Sequence, residues 1–266
     1  MQFDRPILWL WLKSHLIVTI PRYVRVNTLA WTVEEAIEYF DNSGCQLLKT
    51  EDDYDLHLNT MKHLSGEHYV QDMHLKELLI FPRSTEFFND EKYLSGHLVL
   101  QDKASCLAAH LLNPEPGSTV LDMCAAPGMK TTHLAAVMGN EGQIYAIDRD
   151  KKRFETLNKM VNWYGATSVK TINADVLTIT PDQCGDVRYI LCDPSCSGGG
   201  MPGRNSYDKK DPDQTRLRKL ANFQTQLLLH ALCNFPSAEK VLYSTCSLEC
   251  QENEEVISEV LSKSVK

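Results

Sequence analysis

Short apolar runs alternate with amphipathic stretches through the second half of the chain. From His97 onward, strands are expected at residues 119–123, 143–147, 169–173, 188–192 and 240–244. Helical patterns fall between most of them, at residues 130–138, 150–164 and 214–233, and an acidic helix over 251–261 follows the last strand. Strands and helices in that rhythm predict an α/β fold built on a doubly wound, mostly parallel sheet. The first half reads differently. Tyr23 to Val26 has strand character, and Thr32 followed by Glu35 forms a capping box for a helix through Phe40. Leu78-Leu79-Ile80-Phe81 is a second apolar run, stopped by Pro82. The expected division is a small α+β region over residues 1–96 and the sheet domain over 97–266.

Two segments fit neither pattern. Residues 7–12 and 16–20 are apolar but interrupted by Lys13 and His15. The stretch is too short to span a bilayer and lacks a small-residue cleavage site, so a buried or partner-facing helix is expected. Residues 198–213, rich in Gly, Pro, Asp and Lys, read as flexible.

A formal net charge of −8 argues against a free-standing nucleic-acid binder, which needs a basic face. Local basic clusters at Lys151-Lys152-Arg153, Lys209-Lys210 and Arg216, Arg218, Lys219 read singly as solvated helix faces. Nine cysteines suggest a disulfide scaffold, but a chain of 266 residues is too long for one and the count is odd. The Cys192/Cys196 and Cys246/Cys250 pairs lie on or beside apolar strands, which disfavours a zinc knuckle, so no metal is expected. Free thiols in a reducing compartment are the better reading.

The candidate chemistry sits at the strand ends. Val120-Leu121-Asp122-Met123-Cys124-Ala125-Ala126-Pro127-Gly128-Met129-Lys130 is a strand that breaks at small residues and opens a helix. Such a turn lets backbone approach a ligand, and the helix start supplies N–H donors. The spacing is not G-x-G-x-x-G, which weakens a nicotinamide reading. Asp148 ends the next strand, where an acid accepts from ribose hydroxyls. Asp175 follows the third strand and can face an adenine amine. Together these favour an adenosine ligand.

Cys196, in Asp193-Pro194-Ser195-Cys196-Ser197-Gly198, and Cys246, in Tyr243-Ser244-Thr245-Cys246-Ser247, occupy two further strand ends. Two thiols beside such a crevice suit methyl transfer to C5 of a cytosine. That carbon becomes nucleophilic only after a thiolate adds to C6, and its proton must later leave. Spacing alone leaves open which cysteine attacks. The Pro-x-Cys tip beside the base pocket favours Cys196.

Taken with Arg25-Val26-Asn27-Thr28-Leu29 and Gln101-Asp102-Lys103-Ala104-Ser105, these segments resemble the RsmB/NOP/Sun-domain family of RNA cytosine-5 methyltransferases. The likeness is greatest to the eukaryotic fifth subfamily, which acts on large-subunit ribosomal RNA. It implies a class I S-adenosylmethionine-dependent methyltransferase domain behind an RNA-binding-like region, with ribosomal RNA as partner and no membrane association. It also implies a nuclear, nucleolar role in ribosome biogenesis. S-adenosylmethionine is expected along Cys124, Ala125, Ala126, Pro127, Gly128, Met129 and Lys130, with Asp148 on the ribose. Arg153, Asp175 and Asp193 complete the pocket. The resemblance makes Cys246 the nucleophile and Cys196 the thiol that assists product release, with Lys130 and Asp193 orienting the base. Two departures stand out: the family's final hairpin and its longer N-terminal region are missing, so an unpaired sheet edge is expected. The alternatives are a methyltransferase acting on an exocyclic amine, disfavoured because Cys196 stands where an aromatic is needed, and a catalytically weak or inactive ribosome-assembly protein that keeps the fold for RNA binding.

Overall fold

The computed structural model describes residues 20–50, 53–201 and 213–264. The apolar segment before residue 20 and most of the 198–213 stretch, including Lys209 and Lys210, lie outside the described residues.

The first layer is a five-stranded sheet of β1 (Arg22–Val26), β2 (Gln46–Leu47), β3 (His68–Gln71), β4 (Leu78–Phe81) and β5 (Leu98–Leu100), in the order β2-β3-β4-β1-β5. Pairing is antiparallel except between β2 and β3. Helices α1 (Val33–Asn42) and α2 (Tyr54–Lys62) accompany it. The capping box read from the sequence is present: the Thr32 side chain accepts from the Glu35 N–H while the Thr32 N–H donates to the Glu35 carboxylate. On one face of the sheet Phe40, Tyr69, Phe81 and Phe87 pack as a buried aromatic cluster.

The second layer carries α3 (Lys103–Leu112), β6 (Thr119–Asp122), α4 (Met129–Val137), β7 (Gln143–Ile147), α5 (Lys151–Trp163), β8 (Val169–Ile172), β9 (Tyr189–Cys192), α6 (Gln214–Asn234), β10 (Lys240–Tyr243) and α7 (Glu254–Ser264). Its strands run β10-β9-β6-β7-β8, all parallel. Both faces of this sheet are buried, which is why its strands read as continuous apolar runs rather than alternating ones. Val120, Ile144, Ala146 and Leu191 pack under α3, α4 and α5. Their neighbours Leu121, Ile147, Ile190 and Cys192 face α6 and α7 on the other side. The fold is therefore the doubly wound α/β arrangement expected from the sequence. From β6 the chain runs outward to β7 and β8, and then returns to β9 and β10 on the other side. The strand order reverses between β6 and β9, and a crevice opens above their carboxyl ends, where ligands bind in such sheets. β10 is the edge strand, paired with β9 alone among the described residues.

The two layers are fastened by buried polar contacts. Arg25, fully buried on β1, donates to the Gln101 side chain (2.7 Å) and to Thr132 on α4 (3.2 Å). Asn27 donates to the carbonyls of Gly96 and Tyr164. His133 on α4 reaches Glu77 at 2.9 Å, and burial together with the nearby Arg25 pushes its imidazole down to about 4. The N-terminal sheet is thus held against the helix that opens the candidate ligand loop.

Candidate active site

Four strand ends supply the site. At the end of β6, Ala125 and Ala126 are buried and the chain turns through Pro127 and Gly128 into α4. Gly128 has φ of 107°, and a Cβ there would come within 3.0 Å of Leu157 and 3.4 Å of Met160 on α5. The left-handed φ strains any side chain and the tight approach to Leu157 adds to that, so glycine suits the turn that packs against α5. The Ala126 carbonyl accepts from the Arg153 guanidinium, which also lies 3.6 Å from the Asp148 carboxylate. Arg153 therefore ties the loop to the tip of β7.

Asp148 is 6% exposed, and its Oδ1 accepts from the Asp150 N–H. Asp175, past β8, accepts from the Leu177 N–H and sits 3.8 Å from Arg149. Arg149 in turn lies over the ring of Phe223 on α6, 5.5 Å from its centroid. These groups border a cavity of about 290 Å³ lined also by Met123, Cys124, Ala174, Val176, Ser195, Arg216 and Lys219. Arg216 and Lys219, read from the sequence as a solvated helix face, thus turn toward the crevice, as does Arg153 of the other basic cluster.

Asp193, one residue past β9, joins two of the loops. Its Oδ2 accepts from Lys130 Nζ at 2.8 Å and its Oδ1 from Ser244 Oγ at 2.7 Å. Beneath it Asp122 is fully buried, with Thr131 Oγ1 donating to one oxygen at 2.7 Å and no partner at the other among the described residues. Burial raises the Asp122 carboxyl from its ordinary 3.8 to about 7, an effect that Thr131 only partly offsets.

Cys196 and Cys246 meet with their sulfurs 3.1 Å apart. Cys246 is exposed and Cys196 partly buried. Burial and the contact with Cys246 push the Cys196 thiol up to about 12. The third thiol of the crevice behaves differently. Burial, reinforced by the charges of Asp122, Asp148 and Asp193, holds Cys124 well above the ordinary thiol range and leaves it a poor nucleophile.

Ser197 and Ser247, which close the two cysteine segments, face each other at 2.9 Å. Glu252 and Gln224 are fully buried behind them. Nothing in the local pattern marks Glu252 or Gln224, because their partners come from loops distant in sequence. Among the described residues no group of three or more His, Cys, Asp or Glu side chains is placed to hold a metal. No described helix is long and apolar enough to cross a membrane.

The parallel sheet, its switch-point crevice and the strand-end residues define a methyltransferase fold, here joined to a second, smaller sheet. Residues 109–266 match the family described as 16S rRNA methyltransferase RsmB/F, and the chain belongs to that family. Residues 20–101 match the ferredoxin-like domain of NOL1/NOP2/Sun domain family member 5. A 28S rRNA (cytosine-C(5))-methyltransferase of Mus musculus is 44% identical over 91% of this chain, which spans 52% of that relative. The protein of the same name in Drosophila melanogaster is 42% identical over 91% of the chain and 57% of its own length. The chain thus spans little more than half of these relatives. Among solved structures, a methyltransferase homolog protein from Pyrococcus horikoshii superposes with a TM-score of 0.71 at 28% identity, over 91% of this chain and 70% of its own.

Proposed function

We propose that this chain methylates C5 of a cytosine in large-subunit ribosomal RNA, with S-adenosylmethionine as donor and a cysteine–C6 adduct as intermediate. The observation that carries this reading is the pair of thiols, 3.1 Å apart, at two strand ends beside the cavity. The names of the relatives point to a ribosomal substrate, and the family points to methyl transfer.

S-adenosylmethionine fits the residues present. The cavity of about 290 Å³ is bordered by carboxylates at the tips of adjacent strands, and Gly128 keeps the turn beneath it clear of side chains. Asp148 would accept from the ribose hydroxyls and Asp175 would face the adenine, with Cys124 and Arg153 on the same cavity wall; the turn over 125–130 and Asp193 would hold the donor from beside it. When bound, the donor supplies an electrophilic methyl group on a sulfonium.

The chain's own residues do the rest. Lys130 and Asp193, bonded to each other, present a donor and an acceptor to the N3–N4 edge of the base and orient it. Cys246, the exposed thiol, adds to C6 as its thiolate, which places electron density on C5. After methylation the C5 proton passes to solvent water, the C5–H electron pair re-forms the C5–C6 double bond, and the C6–S pair leaves with Cys246. Cys196 holds a proton at Sγ and donates it as a hydrogen bond to the departing sulfur, which assists release. Residues 97–266 carry this chemistry, and residues 1–96 dock RNA despite the acidic overall balance. The site of action is the nucleolus.

Asp148→Ala is expected to weaken S-adenosylmethionine binding by about 1–3 kcal/mol, the usual loss when buried polar partners go unpaired. Titration calorimetry on the two proteins measures this directly. Equal affinities would remove the cofactor from this crevice, and no binding by either protein would remove the proposed donor.

A further inference from the structure

We infer that Glu252 is a positioning residue that sets the separation of the two thiols; this deepens the reading of Cys196 and Cys246 as a reacting pair and rests on it. Glu252 lies on the one-turn helix after the Cys246 loop, and it is fully buried. Its carboxylate accepts from the Ser197 N–H at 3.0 and 3.1 Å, from Ser247 Oγ at 2.6 Å and from Gln224 Nε2 at 3.0 Å. The residue that follows each cysteine is therefore bonded to the same carboxylate.

The residues that precede the cysteines are held by Glu252's immediate neighbours. Gln224, bonded to Glu252, also donates to the Ser195 carbonyl at 3.1 Å. Asn253 accepts from Thr245 Oγ1 at 2.6 Å. Each thiol is thus bracketed on both sides: three of the four arms reach the Glu252 carboxylate, directly or through Gln224, and the fourth ends on its chain neighbour Asn253. The Tyr243 hydroxyl donates to the Glu252 carbonyl at 2.6 Å, which fixes the whole assembly to the end of β10.

The residue type matters. A buried anion is costly, and here the donors are an amide N–H, a hydroxyl and a side-chain amide, none of them cationic. A carboxylate is retained in such a place when two oxygens that only accept are needed to gather donors from several elements. Glu252 gathers them from the β9 loop, the β10 loop and α6. It touches neither sulfur, so it acts through the loops.

Phenylarsine oxide tests this without RNA or methyl donor, because one arsenic must be bonded by two sulfurs at once. The pair-specific binding is the part removed by either Cys196→Ala or Cys246→Ala. Glu252→Ala is expected to weaken that binding by about tenfold or more, since closing the second arsenic–sulfur bond depends on the two thiols being held close. Glu252→Gln should rescue it to within about threefold, because Oε1 still accepts from Ser197 and Gln224 while Nε2 donates to Ser247 Oγ. Ser247→Ala cuts only one link and is expected to give an intermediate loss, which decides the matter should Glu252→Ala not fold. If the variants melt earlier but bind the arsenical like wild type, Glu252 is structural only and the inference is overturned. Loss of arsenical binding in Glu252→Ala, with rescue by Glu252→Gln, sustains the inference even if the wild-type protein forms no adduct with RNA. That last result would count against the methyl-transfer reading alone.

Discussion

Replacing Cys196 with alanine is expected to trap the protein on its RNA. Addition and methyl transfer need only the Cys246 sulfur, which is exposed and free to reach C6. In the proposed mechanism Cys196 acts at elimination, through an S–H hydrogen bond to the departing sulfur 3.1 Å away. Without that donor the C6–S bond breaks slowly and a methylated adduct accumulates. Cys246→Ala, by contrast, should show neither methylation nor a covalent species, because addition is assigned to that sulfur alone. Cys124, the thiol on the cavity wall, cannot substitute, since burial and its acidic neighbours hold it protonated. Denaturing electrophoresis with labelled RNA separates these outcomes. An adduct that builds up in Cys246→Ala and vanishes in Cys196→Ala would exchange the two roles.

Asp122 gives the second large effect, on stability. Its carboxyl rises from 3.8 to about 7 in the folded protein because burial disfavours the charged form. A group raised in this way contributes stability that is fully present below its ordinary value and lost as pH rises through about 7. The shift corresponds to roughly 4 kcal/mol by the usual conversion. Asp122→Asn cannot ionise, so wild type should lose stability relative to that variant between pH 4 and pH 8, by up to about that amount. Urea unfolding of both proteins across the range reads it. A constant difference would show that Asp122 is not destabilised as a charged group. The reason for keeping a costly acid there is local: Thr131, on the first turn of α4, donates to it, so it braces the turn that opens the crevice.

The doubly wound domain was legible because its strands are buried on both faces and its helices on one. Continuous runs such as Ile190-Leu191-Cys192 and the spacing of Leu157 and Val161 carry that burial in the composition itself. The N-terminal sheet was harder to read. Strands of two to four residues at Gln46–Leu47, His68–Gln71 and Leu98–Leu100 leave too little pattern, and helices Tyr54–Lys62 and Lys103–Leu112 are absent from the sequence reading. Tertiary pairing with Val24, Leu79 and their neighbours creates those strands. At the site, local sequence marks the turn over 124–130, the acids at strand tips and both thiols. It cannot show that Arg216 and Lys219 turn toward the crevice, nor that Glu252 lies behind both cysteine loops, because those facts depend on how α6 and the last loop pack. The order of the two thiols is invisible to spacing, which favours Cys196. The exposure of Cys246 is in keeping with the opposite assignment, the one implied by the family resemblance.

The central claim is that Cys246 adds to C6 of a cytosine whose C5 is then methylated. RNA carrying 5-fluorocytidine tests it, because fluorine replaces the C5 hydrogen that must leave and the adduct cannot collapse. Wild-type protein, S-adenosylmethionine and fluorinated ribosomal RNA are combined, the covalent product is digested, and the linked peptide is identified by mass spectrometry. The account predicts a methylated fluorocytidine attached to the peptide containing Cys246. Attachment at Cys196, or no covalent product despite measured binding of both RNA and donor, would contradict it.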